Sequence, residues 1–434
     1  MATPKGIRAG TAAVVCLAAI LSGCAGQETA DHATTKAELP PEPVTLKINN
    51  FNTVISQEVI DNHIVAPIQK KYPHISFEFL DQLKGSTLQN LITSGNVPDI
   101  VFTDYPNLSG LLEFDYPQDL NEFVKAKRIG LDNVNPQMIE GGKRIGAKGE
   151  LYALPFYMDR MMLFYNKDLF EKFGVPYPTD DMKVDEFVGL VKRMTRLDGG
   201  VQYAGMRTIN LHTTGMQWGY PVIDSKTGLA SFQTDSWKKA LTLLNDINSI
   251  PGNEKLTNET FYKEQRLAML QQSFSIMVGL LEGARKGGSP LNWDIAAMPQ
   301  SKEEPGVSGF YKPYYFVVSK SSKHKEAAMD AVAHLMTSKE GQLELSKTGK
   351  MPILTDPDLV KSFGTAVEEL KGKRLEAVFK HKAADLAYSN EFDKLASPQL
   401  NTAGTNVIAG KSDMNSALRE AEEAANKLIA EKKK

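Results

Sequence analysis

The chain of 434 residues carries 50 lysine and arginine residues against 52 aspartate and glutamate residues, a net charge of −2. With no basic stripe, this balance excludes the electrostatic footprint of a nucleic-acid-binding protein. The chain is longer than the chains that usually fold around a single hydrophobic core, so two lobes are expected. The seven histidines are scattered, and HExxH, CxxC and GxSxG motifs are absent from the sequence. We therefore predict no metal and no cofactor, and the sequence carries none of these catalytic motifs.

The start of the chain has the features of an export signal. Lys5 and Arg8 give it a positive charge, and the apolar run of residues 9–21 is shorter than the roughly 20 residues that cross a bilayer. The run ends in residues 21–24 (LSGC), which resemble the lipobox of bacterial lipoproteins. In a lipobox, small residues fit the signal peptidase and the cysteine thiol receives the lipid.

We therefore expect residues 1–23 to be a signal peptide and Cys24 to carry a lipid at the outer face of the cell membrane. Cys16 would leave with the signal, so the mature protein would have no internal disulfide. Residues 24–43 have little apolar content and three prolines near their end, which is typical of a flexible tether. The alternative is an ordinary signal peptide with an incidental cysteine.

Strands and helices alternate after the tether. Val44, Leu46 and Ile48 alternate with polar residues, which predicts a half-buried strand. The same reasoning predicts further elements in chain order: a helix over 57–72, a strand over 75–80, a short helix from Ser86, and a buried strand over 99–102. This alternation favours an α/β domain with a largely parallel sheet.

The pattern continues to the C-terminus. Residues 161–165 form a predicted strand, after which Asn166 caps a helix that ends before Gly174. Predicted helices over 184–194 and 413–430 are amphipathic, the second with Met414 and Leu428 on its apolar face. The remaining predicted elements are a strand over 316–318 and a helix with apolar residues at 328, 331, 332 and 335.

Four segments in this order resemble the extracellular solute-binding proteins of ABC importers, in the carbohydrate-type family that includes maltose-binding proteins. Those segments are residues 94–101 (SGNVPDIV), residues 154–155 (LP) with 163–170 (LFYNKDLF), residues 319–328 (SKSSKHKEAA), and residues 338–341 (SKEG) with 349–352 (GKMP). Each segment is weak by itself, but their family order behind a lipobox is specific.

The resemblance implies an α/β, two-lobed periplasmic-binding-protein-like fold with discontinuous lobes, a hinge and a ligand cleft between them. Residues 44–155 with about 310–351 would form lobe 1, and residues 156–309 with about 352–434 would form lobe 2. The expected function is to capture a mono- or oligosaccharide and deliver it to the permease subunits of an ABC importer. The protein would act as a monomer, anchored to the membrane by its lipid.

A sugar cleft needs aromatic faces and hydrogen-bonding carboxylates or amides on loops at the carboxyl ends of strands. Asp104 and Tyr105 follow the strand over 99–102 directly, so we predict them as ligand-binding loop residues. In maltose-type relatives an acidic residue at the place of Asp159 accepts hydrogen bonds from the sugar. Asp159 is therefore predicted to bind ligand, and its removal is expected to leave the ligand-free stability nearly unchanged.

Three further residues complete the predicted binding set. Trp218 stands among small and polar neighbours, which favours a stacking platform. Glu282 occupies a family ligand loop, and Tyr311 belongs to the tyrosine cluster 311, 314 and 315 at an expected crossing between lobes. The other two tryptophans, Trp237 and Trp293, are expected to be structural.

Two other classes of function remain open at this stage. A lipid-anchored glycoside hydrolase would need two carboxylates whose separation in space, not in sequence, sets the chemistry. A surface adhesin would lack both a closed cleft and ligand-induced compaction.

Overall fold

The computed structural model describes residues 41–80, 87–146, 148–254 and 256–434. Within this part of the chain, Glu42–Lys434 is one compact unit. The predicted signal peptide, Cys24 and nearly all of the tether lie outside the described residues, as does Ser86. No helix in the described ranges has the length and apolar character needed to span a membrane.

The described residues contain ten strands. They are β1 Val44–Asn50, β2 Ile75–Leu80, β3 Ile100–Asp104, β4 Leu154–Asn166, β5 Arg196–Asp198, β6 Val201–Arg207, β7 Leu267–Ser273, β8 Trp293–Ala296, β9 Val307–Val318 and β10 Lys382–Ala384. They form one sheet in the order β2-β1-β3-β9-β4-β7-β6-β5, with β10 beside β9 and β8 beside β4.

The described residues also contain seventeen α-helices. They are α1 Gln57–Val59, α2 Ala66–Lys71, α3 Leu88–Thr93, α4 Tyr105–Leu108, α5 Asn121–Ala126, α6 Pro136–Lys143, α7 Lys167–Phe173, α8 Val184–Met194, α9 Leu211–Met216, α10 Asp235–Asn248, α11 Asn258–Tyr262, α12 Phe274–Lys286, α13 Lys325–Thr337, α14 Lys339–Lys347, α15 Pro357–Lys361, α16 Asp393–Ile408 and α17 Met414–Lys432. A π-helical turn, Ile60–Val65, joins α1 to α2, and 3-10 turns occur at Ser109–Phe114, Glu368–Leu370 and Leu375–Val378.

The expectation of a largely parallel sheet is wrong. Strand β1 is parallel to β2 and β3, but β4 is antiparallel to β7, β8 and β9, and β3 is antiparallel to β9. Strand β9 comes from late in the chain and inserts between β3 and β4. The direction of β9 is set by this return of the chain to the middle of the sheet. The local alternation of strands and helices does not reveal that direction.

Most predicted elements are confirmed. Asn166 caps α7 by accepting a hydrogen bond from the Leu169 amide at 3.3 Å, and Gly174 ends that helix at φ 62°. Helix α8 has the predicted bounds, and strand β1 extends two residues beyond the predicted alternation that ends at Ile48. One detail differs on α17, where Met414 is 36% exposed and Ile429, not Leu428, is buried.

Three hydrophobic clusters form the core. The largest surrounds the central strands and includes Phe102, Phe156 and Trp293. A second joins α9 and α10 to α16 and α17 around Trp237, and the third packs α7 and α8 against β4 and β7. Trp237 and Trp293 are 1% and 0% exposed, so the expectation that they are structural is confirmed.

Candidate functional site

The carboxyl end of β3 leads directly into helix α4. Asp104 is the last residue of the strand and Tyr105 the first of the helix, and both are buried, so the prediction that they lie on a loop is wrong. Asp104 pairs with Lys312 Nζ at 2.9 Å and accepts a hydrogen bond from Asn107 Nδ2 at 2.6 Å. The Tyr105 hydroxyl donates to the carbonyl oxygen of Ala387 at 2.6 Å. The Tyr105 hydrogen bond holds α4 against the segment that precedes α16.

A cavity of 290 Å³ lies between α4, α9 and the start of α16. Its wall combines aromatic rings with hydroxyl, amide and carboxyl groups. The lining residues are Tyr105, Pro106 and Asn107 after β3, His212, Met216, Tyr220 and Val222 in and after α9, Phe310 of β9, residues 385–389, and Asp393, Lys394, Ser397, Pro398 and Asn401 of α16. Such a wall can stack on a flat ligand face and hydrogen-bond its polar groups.

Burial shifts the protonation of several groups in this wall. It lowers the pKa of His212 to about 4, so the imidazole is neutral at neutral pH. It raises the pKa of Asp393 to about 7, and the nearby Ser389 hydroxyl and Asn390 backbone lower it by less. The pKa of Tyr105 is also raised by burial, so its hydroxyl stays protonated. The cavity wall therefore includes a neutral imidazole and a protonated phenol beside the ion-paired Asp385 and Lys394.

Asp159 lies on β4, is 2% exposed, and does not line this cavity. Its carboxylate accepts hydrogen bonds from the hydroxyls of Ser273 and Ser275 and from the amides of Ser275 and Arg160. Ser273 is the N-cap residue of α12, so the carboxylate supplies acceptors to the first turn of that helix. Its role in ligand binding stays a prediction, because its bonds in the described structure are internal.

Charges and tyrosines line up across the three central strands. In the register of β4 and β9, Asp159 stands opposite Lys312, which in turn pairs with Asp104 on β3. Two residues along each strand, the rings of Tyr157 and Tyr314 stack with their centroids 4.5 Å apart. These side chains lie on the adjacent strands β3, β9 and β4.

The other three predicted binding residues lie elsewhere. Trp218 contacts Tyr220, with ring centroids 5.7 Å apart, in a neighbouring groove with many charged side chains. Glu282 is not on a loop, because it lies inside α12 and pairs with Lys286 at 2.7 Å. Tyr311 packs under the guanidinium of the buried Arg160, 5.4 Å from the ring centroid.

Of the six predicted residues, all of which the structure describes, Tyr105 alone lines the cavity. Sequence reasoning missed His212, Tyr220, Ser389, Asp393 and Asn401. A signal for Ser389 was present in the aromatic and polar run at 388–390 just before a helix, and Tyr220 stands in the segment already selected for Trp218. Within the described ranges, no group of three His, Cys, Asp or Glu residues is arranged to hold a metal ion.

Several known proteins are similar to this chain in sequence or in fold. A model of the family described as bacterial extracellular solute-binding protein matches residues 55–343. An ABC substrate-binding protein from Listeria monocytogenes, solved in complex with cycloalternan, is 19% identical with a TM-score of 0.71, and the match covers 90% of this chain and 100% of that one. A sugar transporter from Rhizobium etli in an open conformation is 23% identical with a TM-score of 0.71, covering 88% and 99%.

A third similar structure is the cyclic alpha-maltosyl-1,6-maltose binding protein from Arthrobacter globiformis. It is 19% identical with a TM-score of 0.70, and the match covers 89% of this chain and 99% of that one. At these identities the likeness establishes the fold, which is the two-lobed α/β fold of periplasmic binding proteins.

Proposed function

The chain belongs to the bacterial extracellular solute-binding proteins, and from this membership we propose that it captures a carbohydrate outside the cytoplasm and delivers it to an ABC importer. One observation carries the carbohydrate assignment. The cavity at the carboxyl end of β3 combines aromatic rings (Tyr105, Tyr220, Phe310 and Tyr388) with hydroxyl, amide, imidazole and carboxyl groups that can hydrogen-bond. Sugar rings offer apolar faces and many hydroxyls, which this combination matches.

The volume of the cavity limits the size of the ligand. A cavity of 290 Å³ is at the small end of the range for ligand sites, so it suits one or two sugar rings. Longer oligosaccharides would extend past the cavity mouth. The similar structures from Listeria monocytogenes and Arthrobacter globiformis, whose names state oligosaccharide ligands, support the same class of ligand.

A panel of glucose, galactose, mannose, maltose and mannobiose tests this function. A sugar that binds the native protein raises its melting temperature through RT ln(1 + [L]/Kd). Tyr388→Ala, in the cavity wall, should weaken binding of the sugar with the largest shift by about tenfold, the worth of one aromatic contact of about 1.5 kcal/mol. Tyr177→Ala is the matched control, because Tyr177 is 36% exposed and lies outside the cavity.

Two results would count against carbohydrate capture. If no sugar of the panel changes the melting temperature, the carbohydrate assignment fails. If the purified protein releases reducing sugar from oligosaccharides, the protein is a glycoside hydrolase instead. Tight binding of sugar with no hydrolysis supports the role in import.

The lipid anchor is part of the proposal and is supported by residues 21–24 (LSGC). Cys24→Ala should abolish incorporation of a fatty-acid probe into the protein in cells. Cys16→Ala is the matched control, because Cys16 lies inside the predicted signal and should leave labelling unchanged. Equal labelling of wild type and Cys24→Ala would overturn the anchor.

We also propose hinged closure of two lobes with the boundaries given above. Closure predicts that the radius of gyration in small-angle scattering falls when the bound panel sugar is added. An unchanged radius, with binding measured by calorimetry, would show a rigid site.

A further inference from the structure

A second cavity, of 220 Å³, lies at the carboxyl end of β6 and is lined by residues of α9, α10 and α16. Its polar wall consists of Arg207, four asparagines (210, 248, 253 and 401) and two threonines. Among the described residues, no aspartate or glutamate lines it. A cation that faces open space without a counter-ion attracts anions, so this wall is suited to a negatively charged group.

Arg207 is the last residue of β6, and two hydrogen bonds orient its guanidinium. Nε donates to the carbonyl oxygen of Leu256 and Nη1 to the side-chain oxygen of Asn258, each at 3.1 Å. Burial lowers the pKa of Arg207, and no carboxylate in the described part of the chain raises it. Arginine stays protonated in proteins all the same. The guanidinium is therefore a charged donor whose direction is set before a ligand arrives.

Two amides beside Arg207 are left with unused donors. Asn210 Oδ1 accepts a hydrogen bond from the Thr213 amide at 2.8 Å, and Asn401 Oδ1 accepts one from the His212 amide at 3.0 Å. Because a backbone amide must face an oxygen, each asparagine keeps its NH2 group for another partner. Neither NH2 group belongs to the buried, unpaired atoms of the described structure, so a ligand can reach both.

This second cavity is a neighbour of the 290 Å³ cavity to which we assign the sugar. Asn401 lines both cavities, and the adjacent residues Leu211 and His212 line one each. A sugar ring in the first cavity therefore has the unused donors of the second cavity beside it.

We propose that the second cavity binds an oxyanion, a carboxylate, sulfate or phosphate group, through Arg207 and the NH2 groups of Asn210 and Asn401. The inference rests on the proposed function and narrows the ligand to acidic sugars, whose acidic group reaches Arg207. A guanidinium fork and two amide donors match the several acceptor sites of an oxyanion. A neutral sugar would leave this charge without a partner. A free oxyanion offers the same chemistry, and the experiment separates the two sources.

Isothermal titration calorimetry on the purified protein, at low ionic strength and in a buffer free of phosphate and sulfate, tests this. Glucuronate and glucose 6-phosphate are compared with glucose, galacturonate is compared with galactose, and inorganic phosphate and sulfate are titrated alone. At least one acidic sugar should bind about 10- to 100-fold more tightly than its neutral parent, which is the worth of a hydrogen bond to a charged group. That advantage should shrink as salt is added.

Two variants connect the advantage to this cavity. Arg207→Gln removes the cation. Asn210→Asp keeps an oxygen for the Thr213 amide but puts a negative charge where the NH2 group was, and a carboxylate caps a helix as well as an amide does. Each variant should abolish the advantage of acidic over neutral sugars. Arg419→Gln is the matched control for the lost charge, because Arg419 is exposed and lines neither cavity. Melting of each ligand-free variant shows whether it is folded, and Asn210→Asp carries the test if Arg207→Gln is not.

Equal binding of acidic and neutral sugars, with no binding of phosphate or sulfate, would overturn the oxyanion site and leave the proposed function intact. An acidic advantage that survives in Asn210→Asp would also overturn it, since the acidic group would then bind elsewhere. If phosphate or sulfate binds through Arg207 while no acidic sugar exceeds its neutral parent, the site takes a free ion and the narrowing to acidic sugars is wrong. Binding of phosphate or sulfate without binding of any sugar would contradict the proposed function and not the site.

Discussion

Ser275 donates to the Asp159 carboxylate from both its backbone amide, 3.2 Å from each oxygen, and its hydroxyl, at 2.5 Å. This pair of residues ties the first turn of α12 to β4, the strand that pairs with β7, β8 and β9. A buried carboxylate that caps a helix supports the fold whether or not a ligand is present. The expectation that its removal leaves the ligand-free protein unchanged is therefore replaced by the opposite prediction.

Asp159→Ala should destabilise the ligand-free protein by about 2–3 kcal/mol, because the buried donors of Ser273 and Ser275 lose a charged acceptor. Urea unfolding and melting of the ligand-free variant measure this, the latter as a fall of a few °C. Asp246→Ala, an exposed carboxylate on α10, is the control and should change stability by less than about 0.5 kcal/mol. If the two variants are equally stable, Asp159 stabilises the ligand-free protein no more than an exposed carboxylate does.

Asp393→Asn should stabilise the ligand-free protein at pH 8. The pKa of Asp393 is about 7 in the folded protein and about 3.9 in the unfolded chain, so the folded state binds more protons between these values. The contribution of this group to the free energy of unfolding therefore falls by a few kcal/mol as pH rises from about 4 to 7. It stays low above pH 7. Melting curves should show the variant above wild type at pH 8, with the gap closing towards pH 4. A lower melting temperature at pH 8 would contradict a carboxyl whose charged form is disfavoured by burial.

His212 has the opposite effect on acid stability. Its pKa is about 4 in the folded protein and about 6.5 unfolded, so the unfolded chain binds more protons between these values. Its contribution to stability is complete above about pH 6.5 and is lost as pH falls towards 4. His212→Gln should therefore lose less stability than wild type between pH 7 and pH 4.5 in urea unfolding. The exposed His324, changed to Gln, is the control for the loss of an imidazole. A His212→Gln curve that is parallel to wild type would refute the prediction.

Gly215→Ala should destabilise the protein by about 1–3 kcal/mol. A β-carbon at Gly215 on α9 would overlap the ring of Trp237, which is 1% exposed and donates from Nε1 to the Pro221 carbonyl at 3.1 Å. Gly279→Ala on α12 is the matched control, because nothing lies within 4 Å of its β-carbon position. That change should stabilise by about 0.5–1 kcal/mol. Denaturant midpoints separate the two, and a neutral Gly215→Ala would show that α9 can shift.

Local signals predicted the regular elements well. The cap at Asn166, the end of α7 at Gly174 and the bounds of α8 depend on a few neighbouring residues, so the sequence was enough to find them. The stripe at 328, 331, 332 and 335 is buried on α13 for the same reason. Each of these features is decided within about one helical turn.

The candidate site was harder to predict because its members are far apart in the chain. The predicted residue Tyr105 lines the cavity together with Ser389 and Asp393, which are nearly 300 residues later in the chain. Asp159 was placed by family position, which says nothing about the serines that come to surround it.

The amino-acid sequence by itself determined the family and most strands and helices, because motifs and periodicity act over short stretches of chain. The export signal expected at residues 1–23 stays a prediction. The tertiary structure alone decided the strand directions around β4 and β9, the capping role of Asp159, and the protonation of His212 and Asp393. These properties depend on which groups, far apart in the chain, pack together and exclude water from one another. That packing is set where β9 and α16 return to the end of the sheet at which β3 meets α4.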